Sequence, residues 1–412
     1  MRVNTLLKKL LGIKHLLVTG FDIEDEALVI DVRPSWRKPR CSCCKKRRGR
    51  YDTLKSRHWR HLDFGGVRVY LRYGLRRVSC PACGVVAEQV PWCDITTSRF
   101  TSSFEDAVGF LTQRCDKTSV QEMFRIAWVT VGQIVKRVVE RYRPGDPLDG
   151  LRFIGVDELS YRKGHNYVTT VTDHDSGRIV WAKEGKNAET LMSFFEELSH
   201  ERCLAIEAVT MDMSKAYIKA VKEKVPHAQI VFDRFHVQKL VSEAMNETRR
   251  EEWQRLRELD NDEASRVKGL LWPMRKNPWN LTPTQSERLS TLQQDNERLY
   301  RAYLLKESFA AILDRHQPNV VKKKLEDWLS WASRSRLSAF VRVGRTIRKH
   351  LDDIVSYIRW GLTNGIVEGL NNKLRVITHR AYGFHSASAL IGMIMLCCTN
   401  IWLAPPRIRL AK

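Results

Sequence analysis

The 412-residue sequence has no uninterrupted apolar run of the ~20 residues a membrane helix needs. Its strongest late apolar stretch, ALIGMIMLCCTNIWLA at residues 389–404, is interrupted by Thr399 and Asn400 and reads as a buried helix, so no membrane partner is expected. The opening MRVNTLLKKLLGIKHLL scatters basic residues among leucines without a small-residue cleavage pattern, so a secretory signal is not expected either. A Walker-type phosphate loop is missing, which leaves a nucleotide cofactor without support. Sustained heptads and low-complexity tracts are missing too. Acids are scarce: 47 Asp and Glu stand against 70 Lys and Arg, for a net charge of +23. With 43% hydrophobic and 28% charged residues, the chain is neither wholly disordered nor a minimal scaffold. Its length accommodates one large core and one or two smaller modules.

The basic excess favours a polyanionic partner, because Lys and Arg neutralise phosphates and release counterions. It is concentrated near the N-terminus, where residues 31–80 hold 16 Lys or Arg against 3 acids. Ten cysteines in a chain without a secretory signal point to thiols or metal ligands rather than disulfides. Cys41 and Cys44 form one C-x-x-C pair in CSCC, and Cys80 and Cys83 form another in CPACG, where Gly84 lets backbone amides turn toward sulfur. Two such pairs can converge on a tetrahedral thiolate site for Zn²⁺. Cys43 offers an alternative partner, Cys93, His58 and His61 are substitute ligands, and unrelated buried thiols are the competing reading. Between the pairs, HWRHLDFG and VRVYLRYG read as short strands, giving a zinc-ribbon pattern. A module this small cannot bury enough apolar surface unaided. Its metal would hold it together and present Arg47, Arg48, Arg68, Arg72, Arg76 and Arg77 to phosphates.

Residues 98–142 change character. Ser103–Arg114 has helical spacing, Thr118 and Gln121 read as a capping box for a short helix, and Thr130 with Gln133 reads as the cap of a helix ending at Tyr142. Two short helices around an Ala127-Trp128 turn resemble a helix-turn-helix, with Lys136, Arg137 and Arg141 available to DNA. A spacer or a dimer element is the competing reading. Pro144 to Gly150 then reads as a linker.

Beyond the linker, RFIGVDEL is an apolar strand delivering Asp157 at its end, and YVTTVTD and GRIVWAKEG are two more strands. NAETLMSFFEEL is an amphipathic helix, LAIEAVTM a strand leading to Asp212, Ser214–Lys224 a helix, and AQIVFD a fifth strand. Three strands, helix, strand, helix, strand is the order of an RNase H-like α/β fold. Such a sheet can bring Asp157 and Asp212 together, a repulsion that divalent ions relieve, and oxygen ligands suit Mg²⁺ or Mn²⁺. Glu158 stands as an alternative ligand beside Asp157. Asp233 and His236, in FDRFHVQKL, form a D-x-x-H pair at the next strand end, so Asp233 competes with Asp212; strand order favours Asp212. The third acid is expected in WGLTNGIVEGLNNKLR, where helical spacing puts Glu368 near Asn364, Asn371 and Asn372, with Lys373 and Arg375 placed for phosphate.

Residues 240–360 are helical and polar, too long for a loop, and read as an insertion. Trp272, Trp279, Trp328 and Trp331 read as core or interhelical anchors rather than base-stacking platforms. The expected organisation is a zinc-ribbon arm at 1–97, a helix-turn-helix at 98–145, an RNase H-like core at 150–239, the helical insertion at 240–360 and closing core helices at 361–408.

Together CSCC, CPACG, GVDE, TMDMSKAY, VFDRFHVQKL and TNGIVEGLNNKLR resemble, in order and over most of the chain, the DDE-type transposases of bacterial insertion sequences, in the L-three group with an N-terminal zinc ribbon. CSCC departs from the usual knuckle form. The resemblance implies catalytic Asp157, Asp212 and Glu368 holding Mg²⁺ or Mn²⁺, with Asp233 and His236 matching a D-x-x-H signature; Tyr217 and Lys239 lie in matched motifs without assigned chemistry. It implies double-stranded DNA as partner: recognition of terminal inverted repeats, cleavage with water and joining of the freed 3′-hydroxyl to target DNA. A homodimer or larger assembly on paired ends, at the nucleoid in the bacterial cytoplasm, is implied as well. The competing functions are a zinc-containing DNA-binding regulator with an inactive RNase H-like domain, and a metal-dependent nuclease or resolvase without strand transfer.

Overall fold

The computed structural model describes residues 2–94, 97–143, 145–162, 164, 166–361, 365–381 and 384–406, without the side chains of residues 365–368. Its chain divides into two compact units: Met1–Gly145 with Ile377–Gly383 and Gly392–Lys412, and Asp146–Val376 with Phe384–Ile391. No helix among the described residues is long and apolar enough to cross a membrane.

The first unit is built on strands β1 (Leu16–Glu24), β2 (Ala27–Pro34), β3 (Gly49–Thr53), β4 (Arg57–Phe64), β5 (Val67–Tyr73), β6 (Arg76–Cys80) and β7 (Gly84–Ala87). They form two sheets, ordered β1-β2-β5-β4 and β3-β6-β7. The two strands expected between the knuckles are present as β4 and β5, but they belong to the four-stranded sheet; the cysteines ride on the three-stranded one. Alternation decides which face β5 buries: Val69 and Leu71 are inside with Trp59 and Trp92, while Arg68 is exposed.

Three helices follow, Ser102–Thr112, Lys117–Phe124 and Trp128–Tyr142, over a core that includes Phe104, Val108, Val131, Ile134 and Val138. Their caps differ from the expected ones. Asp116, not Thr118, caps the middle helix by accepting from Ser119 N, because the helix begins one residue before Thr118. The last helix starts at Trp128, two residues ahead of the expected Thr130 cap, with no side-chain cap at Ala127. The chain reverses through Arg125, whose φ of 52° is left-handed. A buried carboxylate ties this group together: Glu105 accepts from Ser98, Arg137 and Arg141.

The second unit carries a five-stranded sheet of β8 (Phe153–Arg162), β9 (Asn166–Asp173), β10 (Arg178–Glu184), β11 (Ala208–Met211) and β12 (Gln229–Phe232), in the order β10-β9-β8-β11-β12. β8, β9 and β10 pair antiparallel, whereas β8, β11 and β12 pair parallel. Helices Ala188–Leu198 and Lys215–Lys224 make the crossovers; Asn187 caps the first through Thr190 N. From Arg234 to Trp360 the chain is almost wholly helical, and its apolar residues continue the cluster that underlies the sheet. Helix Leu351–Trp360 is keyed to β12 by the Ser356 hydroxyl, which donates to the Ile230 carbonyl at 3.0 Å. Trp328 is buried and Trp331 packs on the core, as anchors should; Trp272 and Trp279, 64% and 75% exposed, are not anchors.

Candidate active site and metal centre

Parallel pairing sets the site. β8 and β11 stay in register from Phe153↔Ala208 to Gly155↔Thr210, after which β8 continues beside β9 alone. Asp157 was expected to end its strand; it lies midway, because β9 keeps pairing with β8 through Arg162. It therefore sits just past the point where β8 loses β11, and Asp212 follows the last residue of β11. Asp233 follows β12 and its N–H donates to the Met211 carbonyl at 3.1 Å, so the two strand ends stay level.

These ends open on a cleft of about 440 Å³ whose walls include Asp157, Glu158, Asp212, Asp233, Phe235, His236, Lys239, Asn371, Asn372 and Arg375. The far wall comes from the helix Gly365–Arg380. Its Asn371 amide donates to Asp157 Oδ2 at 2.6 Å, while Asp157 Oδ1 accepts from Glu158 N at 2.7 Å. Burial pushes the Asp157 carboxyl above its usual range; the two donors oppose this, and the Asp212 carboxylate adds a smaller upward push. Asp212 accepts from Ser214 N at 3.0 Å.

Asp233 is more committed. Its Oδ1 caps the helix Arg234–Arg257 through Phe235 N at 2.8 Å, and its Oδ2 lies 3.1 Å from His236 Nδ1, near enough for an ion pair but off the line of a hydrogen bond. The Asp233 carboxylate, opposed by burial, holds the His236 imidazole above its usual range. Glu158 is paired with Lys186 at 2.7 Å, and Lys186 stands 4.1 Å over the Tyr167 ring. Tyr217 is buried with its hydroxyl 2.8 Å from Thr169 Oγ1. Sequence reading put Asn371 beside Glu368 and missed its bond to Asp157, which depends on where the helix Gly365–Arg380 packs across the cleft. The Lys186–Glu158 pair was also missed, and sequence spacing carries no signal of it. The Glu368 side chain and residue Asn364 lie outside the described residues; Glu368 itself occupies the helix three residues before Asn371.

In the first unit, Cys41, Cys44, Cys80 and Cys83 place their Sγ atoms within 4.8 Å of one another, with Cys44 and Cys80 at 3.6 Å. A tetrahedral thiolate site with Zn–S near ~2.3 Å needs sulfurs about 3.8 Å apart, so the set fits zinc. The antiparallel pairing of β6 and β7 holds the second knuckle, with Gly84 at φ 72° closing the turn. Cys41 bridges to Glu88, and Lys45, in the left-handed region, donates its N–H to the Cys41 carbonyl. The Arg48 guanidinium donates to Cys80 Sγ at 3.3 Å; against desolvation, this contact and nearby backbone N–H groups draw the Cys80 thiol down to about 6. The substitutes stand apart. Cys43 is exposed, His58 packs its ring on Tyr70, and Cys93 lies in the core of the four-stranded sheet. His61 bonds Thr101 Oγ1 at 2.9 Å, and burial draws its pKa down to about 4. Among the described residues the carboxylates of the cleft form no three-ligand group as tight as the thiols.

Several cations expected at DNA are engaged inside the first unit. Arg72 pairs with Glu24 and Asp31, Arg76 with the buried Glu88, Arg77 with Asp52, and Arg137 and Arg141 with Glu105. Arg47, Arg68 and Lys136 are exposed. In the second unit Lys373 and Arg375 are exposed on their helix, and Arg375 lines the cleft.

Comparison with known proteins supplies the context. Residues 154–394 match a transposase domain of the ISL3 group, and residues 37–83 match the zinc-finger of transposases IS204, IS1001, IS1096 and IS1165. The transposase for insertion sequence element IS1557 of Mycobacterium tuberculosis is 37% identical over 430 residues, covering 96% of each chain. The transposase for insertion sequence element IS1001 of Bordetella parapertussis is 29% identical over 359 residues, covering 87% of this chain and 88% of that one. The chain belongs to the ISL3 family of insertion-sequence transposases, with that family's zinc ribbon at its N-terminal end.

Proposed function

We propose that this transposase binds the terminal inverted repeats of its element, cleaves the DNA at the ends, and joins the 3′-hydroxyls to target DNA at one metal site. The observation that carries the reading is the 2.6 Å bond from Asn371 to Asp157: it fastens the helix that contains Glu368 to the strand that contains Asp157, beside Asp212 in the same cleft. Asp157, Asp212 and Glu368 would hold Mg²⁺ or Mn²⁺, which when bound would supply Lewis-acid activation of the attacking oxygen and stabilisation of the leaving one. Asn371 orients the Asp157 carboxylate through one of its two oxygens. Asp233 is already spent on its helix cap and on His236, which favours Asp212 as the second acid and leaves the Asp233–His236 pair to shape the wall.

The strand order β10-β9-β8-β11-β12, with helices crossing over between β10, β11 and β12, supports an RNase H-like core interrupted by the helices of 240–360. The helix pair Lys117–Phe124 and Trp128–Tyr142, joined through a left-handed Arg125, supports a helix-turn-helix. Its exposed Lys136, with Arg47 and Arg68 of the arm, are the cations we assign to DNA phosphates; Arg375 and Lys373 are assigned to DNA at the cleft. Dimeric or higher assembly on paired ends and residence at the nucleoid complete the proposal.

A donor-end and target joining assay tests it. Purified protein with Mg²⁺ should cut labelled element ends and join them to a plasmid. Cutting without joining would make it a nuclease; binding with neither would make it a regulator.

A further inference from the structure

One large apolar side chain has no place in a cleft built for phosphates. Phe235 is 68% exposed, yet it lines the same cleft as Asp157 and Asp212. Its position is constrained on both sides. Its N–H is tied to Asp233 Oδ1 at 2.8 Å in the first turn of the helix Arg234–Arg257, and its ring meets the edge of the His236 ring at a centroid distance of 6.0 Å and 70°. The preceding Arg234 is drawn off to Asp314. Lys239, one turn onward, and Arg375 across the cleft add cations to the walls. An aromatic face held at the mouth of a cationic groove, beside carboxylates that take a phosphodiester, is the combination that binds an unstacked base next to a tracked backbone.

We infer that Phe235 is the stacking platform for a nucleotide base adjacent to the scissile phosphate, drawn out of its pair as the phosphate enters the cleft. The inference rests on the proposed active-site reading and adds a positioning residue to it. Asp157 and Asp212 are half-buried in the cleft, whereas Phe235 stands in solvent; a base-paired end presents no free face to that ring, and an unpaired base does. Stacking is indifferent to base identity, so Phe235 fixes geometry rather than sequence.

The test uses the full-length protein with Mg²⁺ and two versions of a duplex element end: fully paired, and mispaired at the nucleotide flanking the cleavage site. Phe235→Ala should bind both ends within about twofold of wild type yet cut the paired end about 10- to 100-fold more slowly, the range that loss of one stacked base implies. The mispaired end should recover most of that loss, and Phe235→Trp should retain cutting of the paired end. A role confined to folding would not be rescued by a mismatch. Wild-type cutting of the paired end by Phe235→Ala, or a loss that mispairing leaves unchanged, overturns the inference. Asp157→Asn in parallel keeps the two readings apart. If it is inactive while Phe235→Ala cuts normally, only the stacking role fails; if it cuts like wild type, the site itself is misassigned and the stacking role falls with it.

Discussion

The thiol cluster and the carboxylate cleft both gather side chains that ionise to anions, and they are built in opposite ways. Four cysteines from two short knuckles converge on a patch whose buried apolar residues are Cys41, Val78 and Cys80, so metal and fold stand or fall together. The carboxylates sit over a core that runs from Leu148 to Val355. There burial and, to a smaller extent, a neighbouring acid press on the Asp157 carboxylate. One set of side chains makes up its own small patch of fold; the other is carried by a sheet that a separate core supports.

The largest expected effect tests that contrast directly. Cys80→Ser, or a strong chelator, should remove zinc and on the order of 10 kcal/mol of binding free energy that the ribbon has no other means to supply. Hydrogen exchange should then become fast in β3, β6 and β7 while β8 to β12 keep their protection, with zinc followed by mass measurement. Retained metal in Cys80→Ser would end the assignment of that ligand.

Next comes catalysis. Asp157→Asn, Asp212→Asn and Glu368→Gln should each slow end cleavage by at least about 1,000-fold, roughly 4 kcal/mol in activation free energy, with end binding intact. Asp233→Asn should cost far less cleavage, because its oxygens serve a helix cap and His236. Equal loss in Asp233→Asn and Asp212→Asn would return the second acid to dispute.

These two regions also differ in how far sequence reading reached them. The ribbon's ligands were legible because C-x-x-C spacing carries the geometry within a few residues. What misled was the intervening chain, since β4 pairs with β5 and β5 with β2 rather than with the knuckles, and pairing partners have no local signature. In the cleft, Asp157 and Asp212 could be named from strand order, but the length of β8 was underestimated because β9, not β8, decides where it stops. Asn371 contacts Asp157 across 214 positions, a distance no periodicity spans. Arginines were the least legible: Arg72, Arg76, Arg77 and Arg137 read as DNA contacts from charge density, yet each has an acid partner supplied by another segment. The exposed Trp272 and Trp279 depart from their expected anchoring because the core closes without them.

A third prediction concerns neutral burial in the first unit. His61 is held near pKa 4 against an ordinary 6.5, so the unfolded chain takes up the proton first as pH falls. The associated stability is present above pH 6.5 and is lost progressively toward pH 4, by about 3 kcal/mol in all. Urea midpoints of wild type and His61→Gln, compared between pH 7 and pH 4.5, isolate this group from protonation of the thiolates, which both proteins share. Parallel pH profiles would show that His61 does not titrate in this range.

The smallest effect is the one with the most telling sign. Because burial raises the Asp157 carboxyl, the folded state holds its proton more tightly than the unfolded chain does; that contribution is present at pH below the ordinary carboxylate value and is lost as pH rises through the folded one. At pH 7 the ionised group is therefore a liability until a cation joins it. Asp157→Asn removes the charge while Asn371 can turn its amide to offer an oxygen in place of its donor. In metal-free buffer the variant should melt higher than wild type, by about 1 kcal/mol in stability, the scale on which active-site groups trade stability for function. Added Mg²⁺ should then stabilise wild type and leave Asp157→Asn unmoved. Cys80→Ser must go the other way, losing stability under every metal condition. If Asp157→Asn proves destabilising without metal, the carboxylate is a structural partner like Glu105, and the opposition between the two ligand sets disappears.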